Sequence, residues 1–148
     1  MTNNITIKED TIDVAVKVNA TIVEFEKAFD KTYFEDRYKG SDRLIIIAYV
    51  DTSPAGYMVS YDKDKDGSFY CWMTGVDPHF RRQGLLHQMM GYLFSWAKKH
   101  GYTKITIKTR NNRREMLSYL VTSGFHFTEV QQQPSIEDNR VLLEKIVT

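Results

Sequence analysis

Val76-Asp77-Pro78-His79-Phe80-Arg81-Arg82-Gln83-Gly84-Leu85-Leu86 joins two segments of different hydrophobic period, and this junction decides the fold. Before it, Ser68 to Val76 is rich in aromatic and β-branched residues and reads as a strand. After it, Leu85, Leu86, Met89, Met90, Leu93, Phe94 and Ala97 trace one face of a helix. Lys98, Lys99 and His100 suit the negative end of that helix, and Gly101 suits the position just past it. Lys104 to Thr109 then alternates, with Ile105 and Ile107 facing one way, so a strand returns after a short connection. Strand, helix and strand in this order make a crossover.

Toward the N-terminus, Ile5-Thr6-Ile7 is β-like, and helices are expected from about Glu9 to Val18 and from Asp30 to Tyr38, the second ended by Gly40. Leu44 to Val50 and Ala55 to Tyr61 read as strands joined by the turn-rich Asp51-Thr52-Ser53-Pro54. Asp62-Lys63-Asp64-Lys65-Asp66-Gly67 opens like a calcium loop, but its twelfth position is Met73 instead of a bidentate Glu. A solvated hairpin turn is the better reading. Toward the C-terminus, a helix from Asn112 to about Ser123 turns Met116, Leu117, Leu120 and Val121 inward and stops at Gly124. Phe125 to Val130 and Val141 to Ile146 close the pattern as strands. The fold class is therefore α+β, a mixed and mostly antiparallel sheet covered by helices.

No repeat, linker or low-complexity tract divides the 148 residues, so 1–148 is expected to be a single domain. A chain of this length buries roughly 68–70% of its unfolded surface and needs no staple. Twenty basic against 19 acidic side chains remove the general electrostatic case for nucleic acid or a membrane surface as partner. Cys71 is the only cysteine, and no Cys/His cluster has metal-site spacing, which leads us to expect no metal. The charged Lys8-Glu9-Asp10 stands where an export signal needs its apolar core, so the cytoplasm is the expected location.

Arg81-Arg82-Gln83-Gly84-Leu85-Leu86 combines guanidinium groups, a glycine and a helix N-terminus just after a strand. Unpaired N–H groups at a helix start carry partial positive charge, Gly admits close approach to the backbone, and Arg supplies bidentate donors. A pyrophosphate would sit well there. Taken alone, the hexapeptide equally fits an ordinary strand-to-helix turn with solvated arginines. It is neither a Walker loop nor G-x-G-x-x-G.

With Gly101-Tyr102, the Ile-x-Ile strand, Asn111-Asn112 and Gly124-Phe125 added, the pattern resembles the GNAT superfamily of acyl-CoA-dependent N-acyltransferases, most strongly over Ser68 to Phe125. Arg81 and Gly84 match its R/Q-x-x-G-x-G/A signature, while Leu86 replaces the usual small residue. The resemblance implies a sheet of about six or seven strands with about four helices. It implies acetyl-CoA as cosubstrate and a small-molecule or peptide amine as acceptor, with homodimers common. It places CoA on Thr74, Gly75 and Val76 of a splayed strand, on Arg81, Arg82, Gln83, Gly84, Leu85 and Leu86, and on Asn112. It also implies a tyrosine acid protonating the departing sulfur. Counting forward from Asn112 gives Tyr119; counting back from Gly124 gives Leu120. Tyr119 is the candidate acid, with Ser118 or solvent as alternatives. Glu24 and Glu26 lie where the acceptor site is often walled, and Glu26 is the candidate base acting through water. The aromatic region from Phe25 to Tyr38 suits either a lid or a core. Cys71 is expected to be a small buried side chain rather than a nucleophile.

Two functions follow. One is direct acetyl transfer to a primary amine, without metal or covalent intermediate. The other is a non-catalytic acyl-CoA-binding or regulatory module of the same fold, suggested by the lack of a carboxylate on the Ser68 to Val76 strand.

Overall fold

The computed structural model describes residues 4–22 and 29–148. In chain order its elements are β1 (Ile5–Glu9), α1 (Ile12–Asn19), α2 (Lys31–Tyr38), β2 (Arg43–Val50), β3 (Ser53–Tyr61), β4 (Ser68–Val76), α3 (Leu85–Lys99), β5 (Lys104–Arg110), α4 (Arg114–Thr122), β6 (His126–Gln131) and β7 (Arg140–Ile146). Short 3-10 turns lie at Pro78–Phe80 and Ile136–Asp138.

Among the described residues, seven strands form one sheet in the order β1-β2-β3-β4-β5-β7-β6. Only β4 and β5 run parallel, and α3 is the crossover that parallel neighbours require. Every other pair is antiparallel. Helices lie on both faces of the sheet. On one, Leu85, Met89, Met90, Leu93 and Ala97 of α3 and Leu117 and Leu120 of α4 pack on Ile105, Ile107, Val141 and Leu143. On the other, α1 and α2 bury Ile12, Ala15, Val18, Phe34 and Tyr38 against β2, β3 and β4.

Three local expectations need correction. Glu9 belongs to β1, opposite Ile46, so α1 begins three residues late. The β2–β3 turn is only Asp51-Thr52, because Val50 pairs directly with Ser53. Asp51 takes a φ of 54°, a conformation Asp tolerates, and Pro54 falls inside β3 beside the register shift at Ala48/Tyr49. Val121 is 48% exposed instead of inward, since it lies about 100° around α4 from the buried Leu120. Asp62 to Gly67 forms the β3–β4 hairpin connection, in which Asp62 and Asp66 accept backbone N–H bonds from Lys65 and Ser68.

Leu93 lies at the centre of α3 and is wholly buried. Leu93→Ala is expected to cost about 2–5 kcal/mol through lost burial and the cavity left behind. Thermal unfolding should show a Tm lower by roughly 5–20 °C.

Candidate active site

β4 and β5 pair only from Ser68↔Lys104 to Cys71↔Ile107, although β4 continues to Val76 and β5 to Arg110. The separation begins at a bulge. On β4, Met73 stands opposite Val59 and Cys71 opposite Ser60, which leaves Trp72 as the extra residue. A bulge bends its strand and increases the local twist, so β4 turns away from β5 at this point. Gly75 is where the sequence suggests weak pairing, yet Gly75 pairs regularly with Tyr57. The bulge instead lets Trp72 and Met73 both face α1 and α2. There Trp72 packs edge-on against Phe34, with centroids 5.3 Å apart, and lies 5.0 Å below the Arg37 guanidinium. Main-chain groups of Trp72 to Val76 that point toward β5 have no strand partner.

A cavity of about 680 Å³ fills the gap, a size usual for ligand sites. It runs through the sheet. Leu86 and Met90 of α3 and Met116 and Tyr119 of α4 border it on one side, and Ile22, Trp72 and Met73 on the other. Thr74, Gly75 and Val76 form its β4 wall. The Thr74 hydroxyl is already committed, donating to the Tyr57 carbonyl at 2.9 Å.

At one end of this cavity the chain enters α3. Asp77 caps the 3-10 turn, its carboxylate accepting from the His79 N–H at 2.9 Å and lying 2.8 Å from His79 Nδ1. Arg82 and Gly84 both take left-handed backbone, with φ of 66° and 80°. The first bond of α3 runs from Gln88 N–H to the Gly84 carbonyl, so the N–H groups of Leu85, Leu86 and His87 are left at its positive end. Nothing lies within 4 Å of where a Gly84 Cβ would stand. Glycine is therefore favoured by its φ, and the space above it is open. Arg81, Arg82, Lys108, Arg113 and Arg114 all border the cavity, against Glu115 as the only carboxylate among the described lining residues. Such a lining selects an anion.

Burial pushes the Asp77 carboxyl up, but the His79 N–H and ring bonds outweigh it and hold the group below the usual carboxylate range. A depressed folded value means that Asp77 stabilises the fold above the ordinary carboxylate range and loses that contribution as pH falls through its folded value. Asp77→Ala should cost about 1 kcal/mol at neutral pH and flatten the acid limb of a stability–pH profile.

The sequence-predicted residues separate into distinct positions. Arg81 and Arg82 line the main cavity, and the Arg81 Nε also reaches the Val76 carbonyl at 3.4 Å. Leu86 lines it too, whereas the Leu85 side chain is buried in the core and Gln83 borders neither this cavity nor the smaller one beneath the loop. Asn112 is exposed to the cavity, but the cap of α4 is Arg113. Asn111 is occupied elsewhere, donating to the Ile136 carbonyl and accepting from Arg114. Tyr119 is half-buried and borders both the main cavity and the smaller one of about 240 Å³, its ring edge-on to His87 at 6.5 Å. Leu120 is wholly buried. The two ways of counting thus lead to a cleft residue and a core residue. Glu24 and Glu26 lie outside the described residues. Cys71 is buried, which pushes its thiol up to about 12. Lys108, which the sequence does not single out, lines the cavity, as do Arg113 and Arg114, which in sequence read as a solvated helical face with a phosphate of CoA as the alternative contact.

A sequence model of the Acetyltransferase (GNAT) family matches residues 16–125. The chain belongs to this family. Many solved structures share the fold of this GNAT chain, and three illustrate the likeness. The ribosomal-protein-S18-alanine N-acetyltransferase of Escherichia coli superposes with a TM-score of 0.80 at 14% identity, covering 98% of this chain and 95% of that one. A GNAT family acetyltransferase from Elizabethkingia anophelis, solved with acetyl-CoA bound, gives 0.73 at 20% identity over 97% and 98% of the two chains. Arabidopsis thaliana Naa50, solved with the bisubstrate analogue CoA-Ac-MVNAL, gives 0.75 at 15% identity over 95% and 97%. At these identities the likeness is one of fold. Curated protein sequences give no match.

Proposed function

We propose that this GNAT chain is an acyl-CoA-dependent N-acyltransferase that moves an acetyl group from acetyl-CoA directly to a primary amine. One observation carries the proposal: two adjoining cavities, both bordered by Arg81, Arg82, Leu86 and Tyr119, bring together the open start of α3 at Gly84 to His87 and a length of β4 whose main chain lacks a strand partner. Acetyl-CoA needs both, since it has phosphates at one end and an amide-bearing arm leading to a thioester at the other. The helix N–H groups, Arg81 and Arg82 suit the pyrophosphate, and Arg113 and Arg114 offer further charge. Asn112 and the main chain of Thr74 to Val76 suit the arm.

A thioester is already activated, so the transfer demands no Lewis acid. What it demands is a donor for the charge that develops on the carbonyl oxygen, removal of the amine proton and protonation of the sulfur. Free N–H groups on the bulged stretch of β4 supply the first. Tyr119 supplies the last, its ring already bordering the cavity. Glu26, acting through water, is the proposed base. Direct transfer is favoured because the only cysteine, Cys71, is buried with its thiol strongly protonated, a poor nucleophile at neutral pH.

A second reading has specific support. Glu115, on the first turn of α4, is the only carboxylate among the described lining residues, as suits a module that binds acyl-CoA without turning it over. Release of CoA thiol, followed across a broad panel of primary amines, separates the two. Amine-dependent release is the expected result. Tight acetyl-CoA binding with no release for any amine would establish the module instead.

A further inference from the structure

We propose that the acetylated amine belongs to a molecule that also carries a carboxylate, seated on a bare basic face of the sheet beside the slit; this rests on the acyltransferase function proposed above. The buried cluster under α1 and α2 draws its strand residues only from β2, β3 and β4. Beyond the slit, β5, β7 and β6 present the same side of the sheet with no described helix across it. Ile105 and Ile107 point toward α3 and α4, so alternation turns Thr106, Lys108 and Arg110 to the open side. On β7, Val141 and Leu143 are likewise inward, and Arg140, Leu142 and Glu144 face out with them.

The register then places Arg110 directly opposite Arg140, with Lys108 opposite Leu142 one step closer to the slit. Lys104 and Glu144 neutralise each other at 3.1 Å. Lys108, Arg110 and Arg140 have no carboxylate within ion-pair distance among the described residues. Arg140 donates to the Asp138 carbonyl, and Glu129, opposite Leu142 on the outer strand, is the nearest acidic side chain that the register adds to this face. Like charges directly opposite each other destabilise a strand pair. An anion lying between Arg110 and Arg140 removes that repulsion.

The patch is continuous with the reaction site. Lys108 itself borders the slit cavity, on the mouth shared with Trp72 and Met73, which is the side away from α3. Arg110 lies two residues farther along β5, about 7 Å. An amine in the slit thus has cations waiting for a carboxylate roughly one or two residues of chain away. Free glutamate and the acidic N-terminal segment of a peptide share this chemistry.

The test uses the full chain saturated with CoA, with calorimetric affinity for glutamate against glutamine α-amide, which carries no carboxylate, and for the peptide amide Ala-Glu-Glu-Ala against Ala-Gln-Gln-Ala. An advantage of about tenfold for the acidic member of a pair at low salt, shrinking at high salt, is expected. Which pair shows it identifies a free amino acid or a peptide as the source. Arg110→Gln with Arg140→Gln should abolish the advantage without lowering Tm, and Arg110→Glu with Arg140→Glu should shift preference to Ala-Lys-Lys-Ala. Equal affinities within both pairs, or an advantage that survives in the variants, would overturn the proposal. So would a loss of the acetyl-CoA thermal shift in the Gln variant, since the patch would then serve the donor. Absence of an acetyl-CoA shift in the unmodified protein fails the acyltransferase function itself, a result distinguishable from a normal shift with no charge preference.

Discussion

Tyr119→Phe lowers kcat by roughly 10²–10⁴-fold and leaves acetyl-CoA affinity nearly unchanged, because it removes one proton donor and little else. The Phe ring still borders both cavities and still meets His87 edge-on. The Tyr119 hydroxyl makes no hydrogen bond among the described residues, so its loss orphans no buried partner. Thermal stability should therefore move by less than about 1 kcal/mol. Steady-state kinetics with a saturating amine reads the effect as a fall in kcat at constant KM for acetyl-CoA. An unchanged kcat would mean that Ser118 or solvent protonates the sulfur.

Gly84→Glu has the largest expected effect on binding. The side chain finds open space, and its cost to the fold is about 1–2 kcal/mol for holding a non-glycine residue at a φ of 80°. A carboxylate at the start of α3 recovers part of that cost from the helix dipole. That same carboxylate occupies the site meant for phosphate and repels it, so acetyl-CoA affinity should fall more than 100-fold. In the unmodified protein, ligand at 100 times its Kd adds about 2.7 kcal/mol, or about 5–11 °C in Tm. The variant should stay folded and show none of this shift. Gly84→Ala, with the same backbone strain but no charge, should keep most of it and thereby separate electrostatics from conformation.

Most of the architecture was legible because the period of the hydrophobic residues changes sharply at its boundaries. The α3 stripe, closed by Lys98 to Gly101, gives the helix its limits, and Ile105 and Ile107 give the return strand. The Arg81 to Gly84 turn was legible because Gly and Arg beside a helix start have a chemical reason to occur together. The bulge at Trp72 was not. A bulge arises from the mismatch of two strands, and neither Trp72 nor its neighbours carries that mismatch alone. Gly75 attracted attention by composition, whereas the aromatic layer on α2 supplies the packing that holds Trp72 out of register. Arg113 and Arg114 read as a solvated helical face for a similar reason, since a charge at a helix start looks solvated until the opposite wall of a cleft is known. Arg110 and Arg140 stand thirty residues apart in the chain and become neighbours only through the insertion of β7 between β5 and β6.

The central claim is that acetyl-CoA lies in the slit between β4 and β5 with its phosphates at the start of α3. Backbone amide NMR of the ¹⁵N-labelled chain, titrated with acetyl-CoA, tests it most directly. The largest shifts should fall on Trp72 to Val76 and on Gly84 to His87, and Gly84→Glu should erase both groups together. Shifts confined to other elements, or none at millimolar acetyl-CoA, would contradict it.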